Sequence, residues 1–196
     1  MIVVGVDVGQ EADPSAVAIL RHRDGAWHTL HTSERPLGEP YDVLAAEVDR
    51  ICGTLTRSGE RVLPVVDRTG IGRAVAEMIG RRRECLGLTI TGGVRASCQW
   101  PHWTVPKPLL VHAADVWAKA GTLAQPDRRA HPLLLSQLGA LTRKTSGRVE
   151  AAGAGHDDVA LAWLLAAWAG HVMTGDRLWT RLEVRHGVVR HGTTAA

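Results

Sequence analysis

The sequence is poor in several features that would fix a protein class at once. It has no phenylalanine and one tyrosine against seven tryptophans. Together with the richness in alanine, glycine, valine and arginine, this imbalance indicates a GC-rich coding sequence and says nothing about mechanism. The three cysteines, Cys52, Cys85 and Cys98, show no CxxC spacing, so they predict neither a disulfide framework nor a zinc site and favour a reducing compartment. The net charge of +3 permits a polyanionic partner without requiring one.

Long hydrophobic runs are also missing. The longest apolar helical pattern, Val159 to Val172, is too short and too rich in alanine to span a bilayer. Met1 leads directly into Ile2-Val3-Val4 without a basic region, so we expect no signal peptide, no membrane partner and a cytoplasmic protein. A chain of 196 residues suits one α/β domain, which we place at 1–175, followed by a polar tail at 176–196.

Hydrophobic periodicity predicts alternating strands and helices. The predicted strands are 2–7, 15–22, 26–33, 62–66 and 86–91, with a hairpin turn at Asp24-Gly25 and a second small hairpin around Ser146-Gly147. The predicted helices are 42–57, 71–83, 107–119, 131–138 and 157–172, and residues 92–106 are interpreted as an irregular loop. This order predicts a mixed sheet, with antiparallel hairpin strands plus parallel strands and helices on both faces.

Aspartates stand at three boundaries between these elements. Asp7 ends the first buried strand, Asp67 ends the strand 62–66, and Asp157 and Asp158 begin the last helix. Carboxylates at such positions can converge at one edge of a sheet, where they repel one another unless divalent cations hold them together. Asp13, in the loop after the first strand, can reach the same edge.

Each aspartate also has an ordinary structural explanation. An aspartate that ends a strand before a turn often bonds to its own backbone. The pair Asp157–Asp158 suits a helix N-cap with favourable first-turn charge. Aspartates at all three boundaries together are harder to explain in this way. Mg²⁺ needs only a few hard oxygen ligands from the protein, because it keeps several waters. The pattern therefore favours a metal site.

Four segments in order carry a resemblance to a known family. They are Gly5-Val6-Asp7-Val8-Gly9 through Asp13-Pro14-Ser15-Ala16-Val17; Val66-Asp67-Arg68-Thr69-Gly70-Ile71-Gly72; Val105-Pro106-Lys107 followed by Leu134 to Leu138; and Gly155-His156-Asp157-Asp158. Together they resemble the C-terminal nuclease domain of large terminase subunits, the DNA-packaging motors of tailed phages. The match runs from about residue 2 to residue 170, and its specificity lies in the order and spacing of the segments.

This resemblance implies an RNase H-like fold and a metal-dependent endonuclease that cleaves double-stranded DNA with two Mg²⁺ or Mn²⁺ ions. It makes Asp7, Asp67 and one of Asp157 and Asp158 the metal-binding triad, and the helical face shared with the apolar residues favours Asp158. One ion would activate the attacking water and the other would stabilise the leaving 3′ oxygen. His156 would support a ligand or handle a proton, unless it is merely a loop residue before the helix.

Two departures from the family pattern affect the interpretation. The chain contains no GxxxxGK[ST] phosphate loop, so packaging would require a separate terminase ATPase, with a small terminase subunit or portal protein as further partners. An excised domain, a prophage remnant or a stand-alone nuclease in the host cytoplasm would each fit. The family often has another carboxylate one helical turn after the acidic pair, and here that position is Leu161.

Basic and aromatic residues supply candidate contacts to DNA. The candidates for phosphate contacts are Lys107, Arg68, Arg143 and Lys144. The run Arg81-Arg82-Arg83 can also hold a duplex backbone, although such runs are more often solvated surface. Trp100 and Trp103 can stack on an unpaired base, although packing against the core is the more common role.

Other functions remain open on the sequence alone. A RuvC-type Holliday-junction resolvase uses a similar acidic set. An actin-like sugar kinase or ATPase also begins with a strand, turn and strand, but Asp67-Arg68-Thr69-Gly70 only half fits its second phosphate turn. A non-catalytic DNA-binding prophage remnant would gain nothing from carboxylates that face phosphates, and this argues against it.

Overall fold

The computed structural model describes residues 1–10, 13–143, 149–151 and 156–175 of the chain. Lys144, the turn Ser146-Gly147 and the tail at 176–196 lie outside the described residues, so the domain boundary at 175 stays a prediction. Within the described ranges, no helix has the length and apolar character needed to cross a membrane.

A seven-stranded mixed sheet lies at the centre of the fold, in the order β3-β2-β1-β4-β5-β7-β6. Its strands are β1 (Ile2–Asp7), β2 (Ala16–Arg23), β3 (Ala26–Glu34), β4 (Val62–Asp67), β5 (Leu86–Thr91), β6 (Ser97–Gln99) and β7 (His102–Pro106). Strands β1, β4, β5 and β7 are parallel, whereas β2, β3 and β6 pair antiparallel with their neighbours. This arrangement confirms the predicted mixed sheet. A separate pair of short antiparallel strands, β8 (Leu141–Arg143) and β9 (Val149–Ala151), confirms the strands of the second predicted hairpin, whose turn lies outside the described residues.

Helices pack on both faces of the sheet, as predicted. They are α1 (Tyr41–Thr56), α2 (Gly72–Gly80), α3 (Lys107–Lys119), α4 (Pro132–Ala140) and α5 (Asp158–Met173). One apolar cluster joins α1 and α2 to one face, and a larger cluster joins α3, α4 and α5 to the other. Successive side chains of β1 alternate between the two clusters, as strand geometry requires: Val3 packs in the larger and Val4 in the smaller.

Two sequence predictions about local structure were wrong. Residues 92–106 are not an irregular loop, because they contain the edge hairpin of β6 and β7. The helix predicted to end at Arg83 ends at Gly80, so Arg81–Arg83 follow the helix and do not form its last turn. The hydrogen bonds of β7 include those of its parallel pairing with β5, a nonlocal contact that the sequence does not show.

A close contact at Gly5 aligns the last helix with the first strand. A Cβ atom at this position would collide with the carbonyl oxygen of Ala162 and lie 3.0 Å from the Cβ of Ala166. From Ala162 to Asp158 is one turn of α5, about 6 Å, and from Gly5 to Asp7 is two strand residues, about 6.6 Å. Since these lengths match, the crossing places the first residue of α5 beside the last residue of β1.

A second glycine contact in α5 allows a paired test of packing. In Gly170→Ala the new methyl group would meet ring atoms of the buried Trp27 at 2.6–2.9 Å, so we expect a loss of about 1–3 kcal/mol in the free energy of unfolding. Gly139 of α4 is also helical but has open space around it, so Gly139→Ala should be neutral or stabilising by up to about 1 kcal/mol. Urea unfolding of both variants measures the difference, and equal losses would contradict this packing.

Candidate metal centre

Three buried aspartates meet at the edge of the sheet where the parallel strands end. The strands β1 and β4 are parallel neighbours with Val6 opposite Val66, so the next residues, Asp7 and Asp67, leave the sheet side by side. They are 6% and 8% exposed, and Asp158, the first residue of α5, is 8% exposed. The structure therefore brings together the three residues that the sequence singled out.

The charge of Asp7 is strongly disfavoured in this environment. Burial raises the pKa of Asp7 well above its ordinary value, and the neighbouring charges of Asp67, Asp158 and Asp157 raise it further. The ammonium group of Lys107 acts in the opposite direction, but it is the weakest of these influences. A positive charge at this edge would relieve the repulsion.

Asp158 has an oxygen atom that lacks a hydrogen-bonding partner. Its Oδ2 is buried, and the nearest basic atom, Nδ1 of His156, lies 3.7 Å away, which is too far for a hydrogen bond. Burial raises the pKa of Asp158 to about 6, with His156 opposing the shift and Asp13 and Asp157 adding to it. Buried polar atoms are normally paired, so this oxygen is suited to coordinate a ligand.

Asp67 is held by a residue that the sequence analysis missed. Its Oδ1 accepts hydrogen bonds from the backbone N–H of Thr69 at 2.8 Å and from the Thr69 hydroxyl at 2.6 Å. Asp67 thus makes the local turn bond that was its ordinary structural explanation, but this bond involves only the Oδ1 atom of its carboxylate. Burial raises the pKa of Asp67, and the bonds from Thr69 partly counteract that rise. The spacing Asp-x-Thr after a strand is the signal that indicates such a turn.

Asp157 differs from Asp158 because it already has a cationic partner. Its Oδ2 lies 2.6 Å from Nζ of Lys107, the first residue of α3, and both side chains are largely buried. Asp157 occupies the N-cap position of α5, but its carboxylate makes no capping hydrogen bond. The ion pair leaves Asp158 as the better candidate ligand. It also directs Lys107 into the acidic cluster, and a contact of Lys107 with DNA stays a prediction.

The ion pair between Lys107 and Asp157 can be tested by a double-mutant cycle. We expect Lys107→Met to lower the free energy of unfolding by about 1–2 kcal/mol, because it leaves the carboxylate of Asp157 without its partner. In an Asp157→Asn background, Lys107→Met should lower the free energy of unfolding by less. The difference between the two losses, which is the coupling energy of the pair, should be at least about 0.5 kcal/mol. Urea unfolding in EDTA measures all four proteins, and strictly additive effects would contradict the pairing.

The remaining predicted residues lie in different places. His156 and Asp13 form the exposed rim of the site, with Nδ1 of His156 lying 3.0 Å from Oδ1 of Asp13. Arg68 packs its aliphatic part against Gly87 and does not join the acidic cluster. The side chain of Arg143 and all of Lys144 are outside the described part of the chain. Leu161, at the position of the missing carboxylate, packs against the larger apolar cluster.

The residues present fit a site for a hard divalent cation. Across residues 1–10, 13–143, 149–151 and 156–175, no three His, Cys, Asp or Glu side chains are placed to hold one ion together. Asp7 nevertheless lies close enough to Asp67, Asp157 and Asp158 for their charges to raise its pKa. Carboxylate oxygens are the donors that Mg²⁺ and Mn²⁺ prefer, and the unpartnered Oδ2 of Asp158 is such a donor.

Comparison with solved structures identifies the fold of the chain. The large terminase nuclease of thermophilic phage G20c with bound magnesium superimposes with a TM-score of 0.60 at 23% identity, covering 85% of this chain and 79% of that one. For the P22 large terminase nuclease domain the TM-score is 0.57 at 10% identity, with 87% and 81% covered. For the human cytomegalovirus terminase nuclease domain, soaked with Mn, it is 0.56 at 12% identity, with 89% and 86% covered.

The comparisons confirm the predicted fold. No protein-family model and no curated protein matches the sequence. The chain nevertheless has the RNase H-like fold of the large terminase nuclease domains from phages and cytomegalovirus, over most of its length.

Proposed function

We propose that this protein is a Mg²⁺- or Mn²⁺-dependent endonuclease that cleaves double-stranded DNA. The observation that carries the proposal is the buried carboxylate of Asp7, which is repelled by three neighbouring aspartates and lies at the same edge as the unpartnered oxygen of Asp158. A protein gains nothing in stability from such an arrangement, so it indicates a cation-binding role. The fold shared with terminase nucleases supports the choice of a phosphodiester substrate.

In this proposal Asp7, Asp67 and Asp158 hold the two cations. When bound there, the cations would activate a water molecule and stabilise charge on the leaving 3′ oxygen. Thr69 fixes the orientation of Asp67 through its two hydrogen bonds. His156, which contacts Asp13 at the exposed rim, would accept or deliver a proton.

The proposed biological setting follows from the terminase resemblance. The substrate would be duplex DNA in a bacterial host cytoplasm, and the protein would be of phage or prophage origin. A separate terminase ATPase, a small terminase subunit or a portal protein would present the DNA. Lys107, Arg143 and Lys144 remain the proposed residues for contacts to phosphates of the duplex, with Lys107 also paired to Asp157. Arg68, which lies away from the acidic cluster, would contact a phosphate outside the cleavage site.

Cleavage of supercoiled plasmid tests this function. The wild-type protein should nick and linearise the plasmid in Mg²⁺ or Mn²⁺ and leave it intact in EDTA. Asp67→Asn should reduce the cleavage rate at least about a hundredfold. Asp67 is a proposed metal ligand, and even a residue that only orients a metal ligand affects activity by up to about a hundredfold. Asp42→Asn, an exposed aspartate of α1, is the control and should cleave normally. Cleavage that persists in EDTA, or in Asp67→Asn, would exclude the proposed mechanism.

A further inference from the structure

A basic groove lies on the face of the sheet opposite the aspartates. Consecutive residues of an extended strand point to opposite faces, so Arg68 points away from the acidic edge that Asp67 joins. The backbone N–H of Arg68 bonds to the carbonyl of Leu88, which continues the pairing with β5. Gly87 has no side chain, and a Cβ there would collide with the aliphatic part of Arg68. The arginine therefore lies flat across β5.

This part of the sheet is not covered by the apolar cluster on its face. The cluster beneath α1 and α2 includes no residue of β5 or β7. The strands present polar side chains there instead: Thr89, His102 and Thr104 are partly or fully exposed. The groove, about 890 Å³ in volume, runs along α2, and of these polar residues His102 lines it.

The groove carries an excess of positive charge. Five arginines line it, at positions 68, 73 and 81–83, against two glutamates. Arg73 pairs with Glu77, and Arg83 pairs with Asp49. Within the described residues Arg68 and Arg81 have no acidic partner at ion-pair distance, and the buried Nε of Arg68 has no hydrogen-bond acceptor. An anion in the groove would supply the acidic partner that the guanidinium groups of Arg68 and Arg81 lack.

An exposed tryptophan stands at the mouth of the same groove. Trp100 lines the groove and is 58% exposed. Trp103, which lies in β7 of the same hairpin, is 6% exposed and packs in the core. An aromatic ring left in solvent beside arginines is the combination that binds single-stranded nucleic acid, since an unpaired base stacks on the ring while cations contact the phosphates. The excess of arginines over glutamates in the groove favours such a polyanion over a neutral peptide.

We propose that this groove binds a single-stranded segment of nucleic acid, with phosphates against Arg68 and Arg81 and an unpaired base stacked on Trp100. This binding site is separate from the proposed cleavage site, because it lies on the other face of the sheet and requires no metal ion. It would hold an unpaired end or displaced strand while the duplex occupies the acidic edge.

Binding of a short fluorescein-labelled oligothymidylate in EDTA, followed by anisotropy, tests the groove without any cleavage. We expect Trp100→Ala to weaken binding at least about fivefold, since stacking on an aromatic residue contributes that much per base or more. Binding constants measured at several salt concentrations give a slope of log K against log salt concentration. In Arg81→Gln the magnitude of this slope should fall by about 0.7, the value for one phosphate contact in a single strand. Both positions are exposed, so the variants should fold normally.

Arg23→Gln provides the matched control, because Arg23 is 74% exposed on the β2–β3 hairpin, far from the groove. Its affinity should equal that of the wild type. Failure of the wild type to bind, or unchanged binding by both groove variants, would overturn the proposal. A loss of affinity in Trp100→Ala that is equally large for a blunt duplex of the same length would also overturn it, because a duplex offers no unpaired base to Trp100. None of these outcomes depends on nuclease activity, so the proposed function is tested separately.

Discussion

Replacing Asp7 with asparagine should abolish metal-dependent cleavage and also stabilise the metal-free protein. The carboxylate is buried beside Asp67 and Asp158, which raises its pKa in the folded state above the unfolded value of about 4. The folded state therefore binds more protons than the unfolded state, and metal-free stability falls as pH rises from about 4 through the raised pKa. At neutral pH the ionised carboxylate destabilises the fold, and the neutral amide removes this cost.

Urea unfolding in EDTA and in Mn²⁺ measures both parts of this prediction. In EDTA the wild type should gain stability as the pH is lowered from 7 to 5, and Asp7→Asn should be more stable at pH 7 and less sensitive to pH. Saturating Mn²⁺ should stabilise the wild type by about 2.7 kcal/mol at a hundred times its Kd and leave Asp7→Asn unchanged. Asp42→Asn controls for the loss of one exposed charge. A variant less stable in EDTA, or one that still cleaves, would contradict the account.

Gly5→Ala is expected to have the largest effect among changes outside the charged site. The added methyl group meets the backbone carbonyl of Ala162, which cannot rotate away, so α5 must move off β1. We expect a loss of about 3 kcal/mol or more in the free energy of unfolding, at the upper end for overpacking. Because α5 begins with Asp158, the shift also moves this carboxylate from Asp7. A displacement of about 1 Å is enough to cost about a hundredfold in rate.

Gly87→Ala is the matched control, since Gly87 is also a buried strand glycine with no room for a Cβ. Its obstacles are the side chains of Arg68 and His102, which can change rotamer. The expected loss is about 1 kcal/mol or less, with cleavage retained. Urea unfolding and plasmid cleavage are measured on both variants. Similar losses from Gly5→Ala and Gly87→Ala would show that the contact between α5 and β1 is not as tight as described.

Local patterns were sufficient for most of the fold. The first strand, its hairpin and the long helices have periodicities that tertiary contacts reinforce, and their positions were predicted to within a few residues. The strand β7 was missed, although His102-Trp103-Thr104-Val105 alternates between polar and apolar residues, because Pro101 and Pro106 enclose it. The helix α2 was predicted too long, because Arg81–Arg83 are good helix formers but Gly80 ends the helix.

The candidate site was predictable only in part. The aspartates could be identified because each follows a strand or begins a helix, and such ends meet at one edge of a sheet. The partners could not be identified: Lys107 and Asp157 are 50 residues apart, and nothing local connects them. The same holds for Asp13 and His156, which meet only in the folded chain. The choice of Asp158 over Asp157 as a metal ligand stays a prediction, now supported by the ion pair of Asp157.

Calorimetric titration of Mn²⁺ into the metal-free protein at neutral pH tests the central claim most directly. The account predicts saturable binding of two ions by the wild type, retained in Asp157→Asn and lost or weakened at least about tenfold in Asp158→Asn. These two variants differ by one position in the chain, remove the same charge and serve as controls for each other. Binding that is unaffected by Asp158→Asn, or no saturable binding by the folded wild type, would contradict a metal centre at this edge of the sheet.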